Sequence, residues 1–282
     1  MRTGIIGAGK VGCSLGKYFR LNFLKVTGYY DVNENLAKEA ATFTETTFIE
    51  DLETIVKISD TLFLTVPDDL ITTVWNQMKD MSLEGKFICH CSGALSAGDA
   101  FPGIDKYGAF GYSVHPLFAV SDKYNSYKEL SHAYFVIEGD EKHREEIAGI
   151  FKNLGNEVRY IAAKDKVKYH CAAAVCSNHV VALIQESLDL MQECGFDEES
   201  ALKALAPIML GNMQHIAERG TVNSLTGPVE RADVKTVEKH LNCLDEKQQM
   251  LYRLLSEVLI SIGEKKNPGR DYGRLKHILG NE

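Results

Sequence analysis

Residues 4–19 read GIIGAGKVGCSLGKYF. A short apolar run leads into Gly7-Ala8-Gly9-Lys10-Val11-Gly12 and then into a segment with helical periodicity. The G-x-G-x-x-G spacing carries meaning in this setting, closing a strand and opening a helix. Gly7 permits a tight turn, Gly9 lets the backbone approach a pyrophosphate, and Gly12 lets helix and strand pack closely. The helix N-terminus then offers unpaired N–H groups and a partial positive charge to phosphate. The whole turn, Gly7, Ala8, Gly9, Lys10, Val11 and Gly12, is therefore the expected dinucleotide cradle. The next apolar run, KVTGYYD, ends in Asp31, 19 residues beyond Gly12. A carboxylate there accepts hydrogen bonds from both ribose hydroxyls of an adenosine and repels a 2′-phosphate. The following VNEN offers no arginine, so NAD is the expected cofactor, with NADP less favoured.

Further along, RTGIIG, LKVTGYY, DTLFLTVP, KFICHCS and YGAFGYSV read as strands, with helix-like stretches such as 10–21, 33–41 and 68–79 between most of them. Such alternation predicts an α/β fold, a doubly wound and mostly parallel sheet covered on both faces. AYFVIEG and NEVRYIA, flanking the helical DEKHREEIAGIFKNLG, are expected to extend the sheet. After about residue 163 the strand signals stop. Four long helical patterns follow, the first ending at Gly195 and the second with Asp197 able to cap its start. The expected domains are residues 1–162, binding dinucleotide, and residues 163–282, all helical, holding substrate and forming a dimer.

Composition narrows the function. Of 282 residues, 45% are apolar and 25% charged, as in an ordinary soluble protein. The net charge of −8, with no Lys/Arg run longer than Lys265-Lys266, argues against a nucleic-acid partner. No stretch is read as long and apolar enough to span a bilayer. Strand-like sequence begins at Thr3, so no secretory leader is expected. Seven scattered cysteines suggest reduced thiols in a cytoplasm.

Candidate site residues fall at strand ends and on the first long helix. Val66 and Pro67 close the strand LFLTVP beside the crevice where such sheets bind ligands, and are expected to touch the cofactor through their backbone. Asp68 and Asp69 read as helix N-terminal charge. Ser92 and Gly93, in ICHCSGALSAG, could hold a carboxylate or carbonyl oxygen, or simply form a turn. Cys89, His90 and Cys91 alternate across a strand and cannot converge on one metal. His115, held extended before Pro116, could donate to a substrate oxygen or move a proton; otherwise it is a turn histidine bonded to backbone.

The stretch YHCAAAVCSNHV, residues 169–180, sets histidines, cysteines, a serine and an asparagine among small residues. On a helix, His170, Ala174, Ser177, Asn178, Val181 and Gln185 share one face, while Cys176 and His179 point elsewhere with Val175 and Leu183. Four ligands do not converge, so no metal is expected. His170 and Asn178 either line a ligand site or make interhelical hydrogen bonds. In LTGPVERAD, Thr226 and Gly227 could open a helix and Arg231 could grip a carboxylate or phosphate; the alternative for Arg231 is a surface ion pair.

GAGKVG, then VP, then CSGALS, then HPL, then a helical domain containing LTGPVERAD, together resemble one family across nearly the whole chain. These are Rossmann-like oxidoreductases whose C-terminal helical domain is of unknown function, within the 6-phosphogluconate dehydrogenase-like superfamily. That superfamily includes β-hydroxyacid dehydrogenases, pyrroline-5-carboxylate reductases and prephenate dehydrogenases, the last with a similar His-Pro pair. The resemblance implies an NAD(P)-dependent oxidoreductase and supports His115 through the shared His-Pro pair; with the residues read above, the expected substrate is a small carbonyl, hydroxy or imino acid, with His115, His170 and Asn178 catalytic and Ser92, Gly93, Thr226 and Arg231 holding it. β-Hydroxyacid dehydrogenases carry a lysine one turn before the asparagine matched by Asn178; here Ala174 stands in that place. That departure keeps open a dinucleotide-binding sensor or scaffold without chemistry. Helices apolar on more than one face, as in VVALIQESLDLM, predict a homodimer through the helical domain, and the resemblance points the same way.

Overall fold

In a computed structural model describing residues 1–280, the chain opens with β1 (Arg2–Ile6), α1 (Lys10–Leu21) and β2 (Lys25–Tyr30). α2 (Glu34–Thr44) and α3 (Leu52–Ile58) follow, capped at their starts by the side chains of Asn33 and Asp51. Then come β3 (Thr61–Leu64), α4 (Asp68–Met78), β4 (Phe87–His90), the single turn α5 (Ala97–Ala100) and β5 (Phe110–Leu117). β6 (Tyr134–Gly139), α6 (Arg144–Lys152) and β7 (Val158–Tyr160) complete a seven-stranded sheet ordered β2-β1-β3-β4-β5-β6-β7. Pairing is parallel throughout except between β5 and β6. A parallel neighbour requires a helical crossover, and the segment between β5 and β6 holds only a 3₁₀ stretch, Ser126–His132, so β6 returns antiparallel.

The central strands β1, β3 and β4 are buried on both faces, which is why they read as continuous apolar runs, while the edge strands β2 and β7 are partly exposed. Leu62 and Leu64 of β3 pack with Ile55 and Val56 of α3 and Ile71 and Trp75 of α4. Phe63, between them, points the other way to Phe19 of α1 and Phe151 of α6, with ring centroids 5.6 and 6.3 Å distant. Each such aromatic, fully buried, stabilises the fold by about 2–3 kcal/mol.

The helical half begins with α7 (Lys166–Glu193), which stops where Gly195 takes a φ of 92°. α8 (Glu198–Ser224) is capped by Asp197 and kinked at Gly220, and α9 (Val234–Cys243) is capped by Asp233. α10 (Glu246–Lys266) opens on a reciprocal Asp245–Gln248 capping box, and α11 (Gly273–Leu279) closes the described chain. The chain divides into two compact units, Met1–Leu183 and Ile184–Glu282. The change from strands to helices falls between Tyr160 and Lys166, but α7 as far as Leu183 belongs with the sheet. The second unit has its own core, including Val237, Leu241, Ile260, Tyr272 and Leu275.

Two expectations are corrected. The helical stretch 163–193 is long and apolar enough to cross a bilayer by length and composition, contrary to the sequence reading. Its alanines and valines raise the average while His170, Ser177, Asn178 and Gln185 interrupt it. Cys176 does not point away from Ser177 and Asn178 but lines the same cleft. α3 and α11, each 7 residues long, are too short for a periodicity to declare them.

Candidate active site

The C-terminal ends of β1, β3, β4 and β5 lie side by side on one edge of the sheet. They deliver, in that order, Gly7, Val66-Pro67, Ser92-Gly93 and His115. β2 and β3 leave β1 on opposite sides, so this edge contains the topological switch point where such sheets take ligands.

The glycine turn is built as its spacing predicts. Gly7 has φ 103°, and a Cβ there would lie 2.8 Å from the carbonyl carbon of Thr65. A Cβ on Gly12 would collide with the Gly7 carbonyl oxygen. Thr65 Oγ1 secures that same oxygen at 2.7 Å. Gly9 differs: its φ of −75° suits any residue, and no atom lies within 4 Å of where a Cβ would be. Nothing inside the fold requires glycine there. It is the N-cap of α1, with no side-chain cap for the first-turn N–H groups. The space beside Gly9 thus suits a group from outside the chain, and the free N–H groups suit phosphate. Ala8 is buried under the turn, Lys10 is exposed and Val11 half-buried. Asp31 ends β2 with Oδ2 accepting from the Ala8 N–H at 2.7 Å and Oδ1 from the Asn33 N–H at 2.8 Å. Its carboxylate is held beside the turn, where an adenosine ribose on this cradle would come.

A cleft of about 470 Å³ lies at the end of β5, within the first unit. His115, Leu117 and Phe118 line it from the sheet; Tyr169, His170, Ala173, Ala174, Ser177 and Asn178 line it from α7. His115 and His170 stand 6.0 Å apart by ring centroid, nearly perpendicular. Gly93 fits between them: a Cβ would lie 3.0 Å from His115 Nε2 and would collide with His170. His115 Nδ1 shares a 2.7 Å hydrogen bond with the Tyr169 hydroxyl. Burial, with Lys166 and His170 nearby, pulls the His115 pKa down to about 4. Burial pushes the Tyr169 hydroxyl up to about 12.

Ser92 sits deeper. Its hydroxyl donates to Asp68 Oδ2 at 2.6 Å and accepts from the Leu95 N–H at 3.1 Å, so it orders the turn beneath Gly93 and is not turned to the cleft. Asp68 is accordingly more than helix N-terminal charge. Thr226 and Arg231 lie in the second unit: Thr226 borders a cleft with Asn212, Ile216 and Leu259, and Arg231 is exposed. Asp233, not Thr226, caps the helix after this loop. Glu230 organises the loop, accepting from Asn267 at 2.7 Å and Arg270 at 2.8 Å. Arg231 makes no salt bridge among the described residues. Among those residues, no group of His, Cys, Asp and Glu could hold a metal ion.

Two site residues escape the sequence reading, Tyr169 and Lys166. Tyr169 opens the stretch YHCAAAVCSNHV, but only the tertiary approach of β5 gives it a partner. Lys166 is 1% exposed, with Nζ 2.5 Å from Ser113 Oγ and 3.2 Å from the Ser92 carbonyl oxygen. KDKVKYH contains three alternating lysines, and nothing local marks the middle one as buried.

Residues 1–116 match the family model described as a Rossmann-like domain, and residues 133–258 match the domain of unknown function DUF2520. Both matches agree with the resemblance read from the sequence. Protein TM1727 from Thermotoga maritima has the same fold, with TM-score 0.73 and 26% identity over 94% of this chain and 99% of that one. A 1-pyrroline-5-carboxylate reductase from Streptococcus pyogenes gives 0.67 at 13% identity, over 95% and 98% of the two chains. Plasmodium falciparum pyrroline carboxylate reductase, solved with NADP bound, gives 0.60 at 16%, over 95% and 97%. No curated protein sequence matches the chain.

Proposed function

We propose that this chain, which joins a Rossmann-like domain to a DUF2520 domain, is an oxidoreductase acting on a small carbonyl, hydroxy or imino compound with a nicotinamide cofactor. One observation carries the reading. The same sheet edge bears a glycine turn left open at Gly9 and, three strand spacings or roughly 14 Å away, a cleft containing a hydrogen-bonded His115–Tyr169 pair. Residues 7–12 and Asp31 would hold the cofactor, with backbone contacts from Val66 and Pro67; when bound it supplies or accepts the hydride. NAD is the proposed form: the Asp31 carboxylate is held beside the glycine turn by the Ala8 N–H, and a carboxylate at the end of β2 would repel a 2′-phosphate.

The chain's own residues handle the proton. At neutral pH the His115 ring is neutral and the Tyr169 hydroxyl protonated. The phenol is the better donor of the two, so it donates to Nδ1 and the proton on the ring resides at Nε2. From there it can bond to a carbonyl oxygen or imine nitrogen and lower the energy of the charge that develops during reduction. As Nε2 gives up its proton, Nδ1 takes one from Tyr169, and solvent restores the phenol; oxidation reverses the sequence. Asn178 and His170 orient the substrate from α7, and Ala173 and Ala174 leave it room. For a substrate with an acid group, Arg231 is the proposed binder on its chemistry alone.

A dinucleotide-binding sensor or scaffold is the second reading, favoured by Ala174 where related dehydrogenases carry lysine. Incubating the protein with NADH and a panel of aldehydes, ketones, keto acids and cyclic imines separates them. Substrate-dependent loss of NADH absorbance supports the enzyme; tight NADH binding without oxidation across the panel rejects it. We also propose a homodimer, because α8 has one buried residue, Ala201, while Ile208 and Leu210 are 62% and 70% exposed. A cytoplasmic location is proposed from seven free thiols.

A further inference from the structure

Lys166 is costly where it stands. Its ammonium is buried, and it occupies the first position of α7, where the helix dipole disfavours a cation. It is fixed by Ser113 Oγ and the Ser92 carbonyl oxygen, and Ser113 Oγ itself donates to that carbonyl at 3.0 Å. The three groups tie α7 and β5 to the turn that holds Gly93 against His115. Ser113 and His115 are two residues apart on β5 and therefore share a face of the sheet. Glu138 of β6 is directly opposite Ser113, and His90 of β4 is its parallel neighbour.

We propose that Lys166 is a positioning residue: its bonds to Ser113 Oγ and the Ser92 carbonyl oxygen clamp the Ser92–Gly93 turn beside His115, and its buried ammonium, added to the burial of the ring itself, opposes a second cation there, so that the ring works as a hydrogen-bond donor. The inference rests on reading His115 as the proton-handling group of the cleft. The charged and titratable groups facing this cluster are Asp68 from α4, His90 and Cys91 from the β4 end, His115 from β5, Glu138 from β6, and His170 and Tyr169 from α7, the last bonded to His115 Nδ1. Asp68 and Glu138 favour the ammonium, burial opposes it more strongly, and the Lys166 pKa falls to about 8. Burial first, and the Lys166 cation after it, disfavour protonation of His90 and His115. A salt-bridged surface lysine would have neither effect.

Nuclear magnetic resonance titration of the His115 ring, assigned with His115→Gln, tests this without cofactor or turnover. In the wild-type protein the ring stays neutral well below pH 6, and its resonances show a second, smaller inflection near pH 8, where Lys166 loses its proton. In Lys166→Met the upper inflection disappears and the ring titrates about one pH unit higher. Lys166→Arg, which keeps the charge, restores the low value. An unshifted His115 titration in a cooperatively melting Lys166→Met protein overturns the proposal. Should that variant not fold, absence of the inflection near pH 8 in the wild-type protein overturns it equally. If these titrations behave as stated while no substrate is ever reduced, the oxidoreductase reading fails and the positioning role stands.

Discussion

His115 takes its chemistry from its neighbours. With Tyr169 on Nδ1 and Gly93 beside Nε2, the ring has a fixed orientation and one nitrogen free for a ligand. His115→Ala is expected to lower kcat by roughly 10²–10⁴ and remove a limb of the pH–rate profile. Tyr169→Phe keeps the ring but loses its orienting bond, and should lower kcat with NADH affinity unchanged. Asn178→Ala should lower kcat/KM about tenfold or more, about 1.4 kcal/mol, again with NADH affinity within about twofold; steady-state kinetics and a fluorescence titration check each. The same environment predicts a stability profile. His90 and His115 have pKa values of about 3 and about 4 in the fold, below the ordinary 6.5 of an unfolded chain. Between those limits the unfolded state binds more protons, so the histidines contribute stability that is fully present above pH 6.5 and lost as pH falls through 4. Melting temperature measured from pH 7 to pH 4 should fall, and His115→Gln should flatten part of that fall. An unchanged slope in the variant would contradict the buried neutral ring.

At the scale of elements, the strand–turn–helix of β1 and α1 was legible because its constraints are local. Gly7 needs a positive φ, and Gly12 sits where any Cβ would strike the turn itself. Gly7→Ala should destabilise the protein by about 1–3 kcal/mol, seen as a lower melting temperature. Asp31 is different in kind, since its carboxylate bridges the turn and the start of the next loop. Asp31→Ala should weaken NADH by about 1–3 kcal/mol and narrow the preference over NADPH; an initial preference for NADPH would sink the NAD assignment. On α7, helical spacing grouped His170, Ala174, Ser177, Asn178, Val181 and Gln185, of which the first four line the cleft. It misplaced Cys176, because the cleft spans more of the helix circumference than a single face. Ser92 shows the same limit: its position at a strand end was readable, but its commitment to Asp68 required two strand ends to meet.

For the whole molecule, the second unit leaves several large apolar side chains exposed on its long helices. Its seven-residue buried cluster gathers α9, α10 and α11, while Ile208 and Leu210 of α8 and Val258 of α10 remain exposed. Long helices draw most of their stability from a packed face, so a second copy is the proposed cover. Light scattering at micromolar concentration should give twice the chain mass of 31.4 kDa, and Leu210→Glu should shift it toward monomer. A wild-type monomer would count against the dimer.

The sequence alone determined the alternation of strands and helices, the glycine turn, the acid at the end of β2 and the passage to an all-helical half. Those features follow from period, from turn stereochemistry and from caps, each acting over a few residues. The tertiary structure alone decided which lysine is buried, that the Ser92 hydroxyl is committed to Asp68 and which partner His115 has. Lys164, Lys166 and Lys168 are locally alike. Only the approach of α7 to Ser92 and Ser113, far away in the chain, takes one of them out of water and places its charge beside an imidazole.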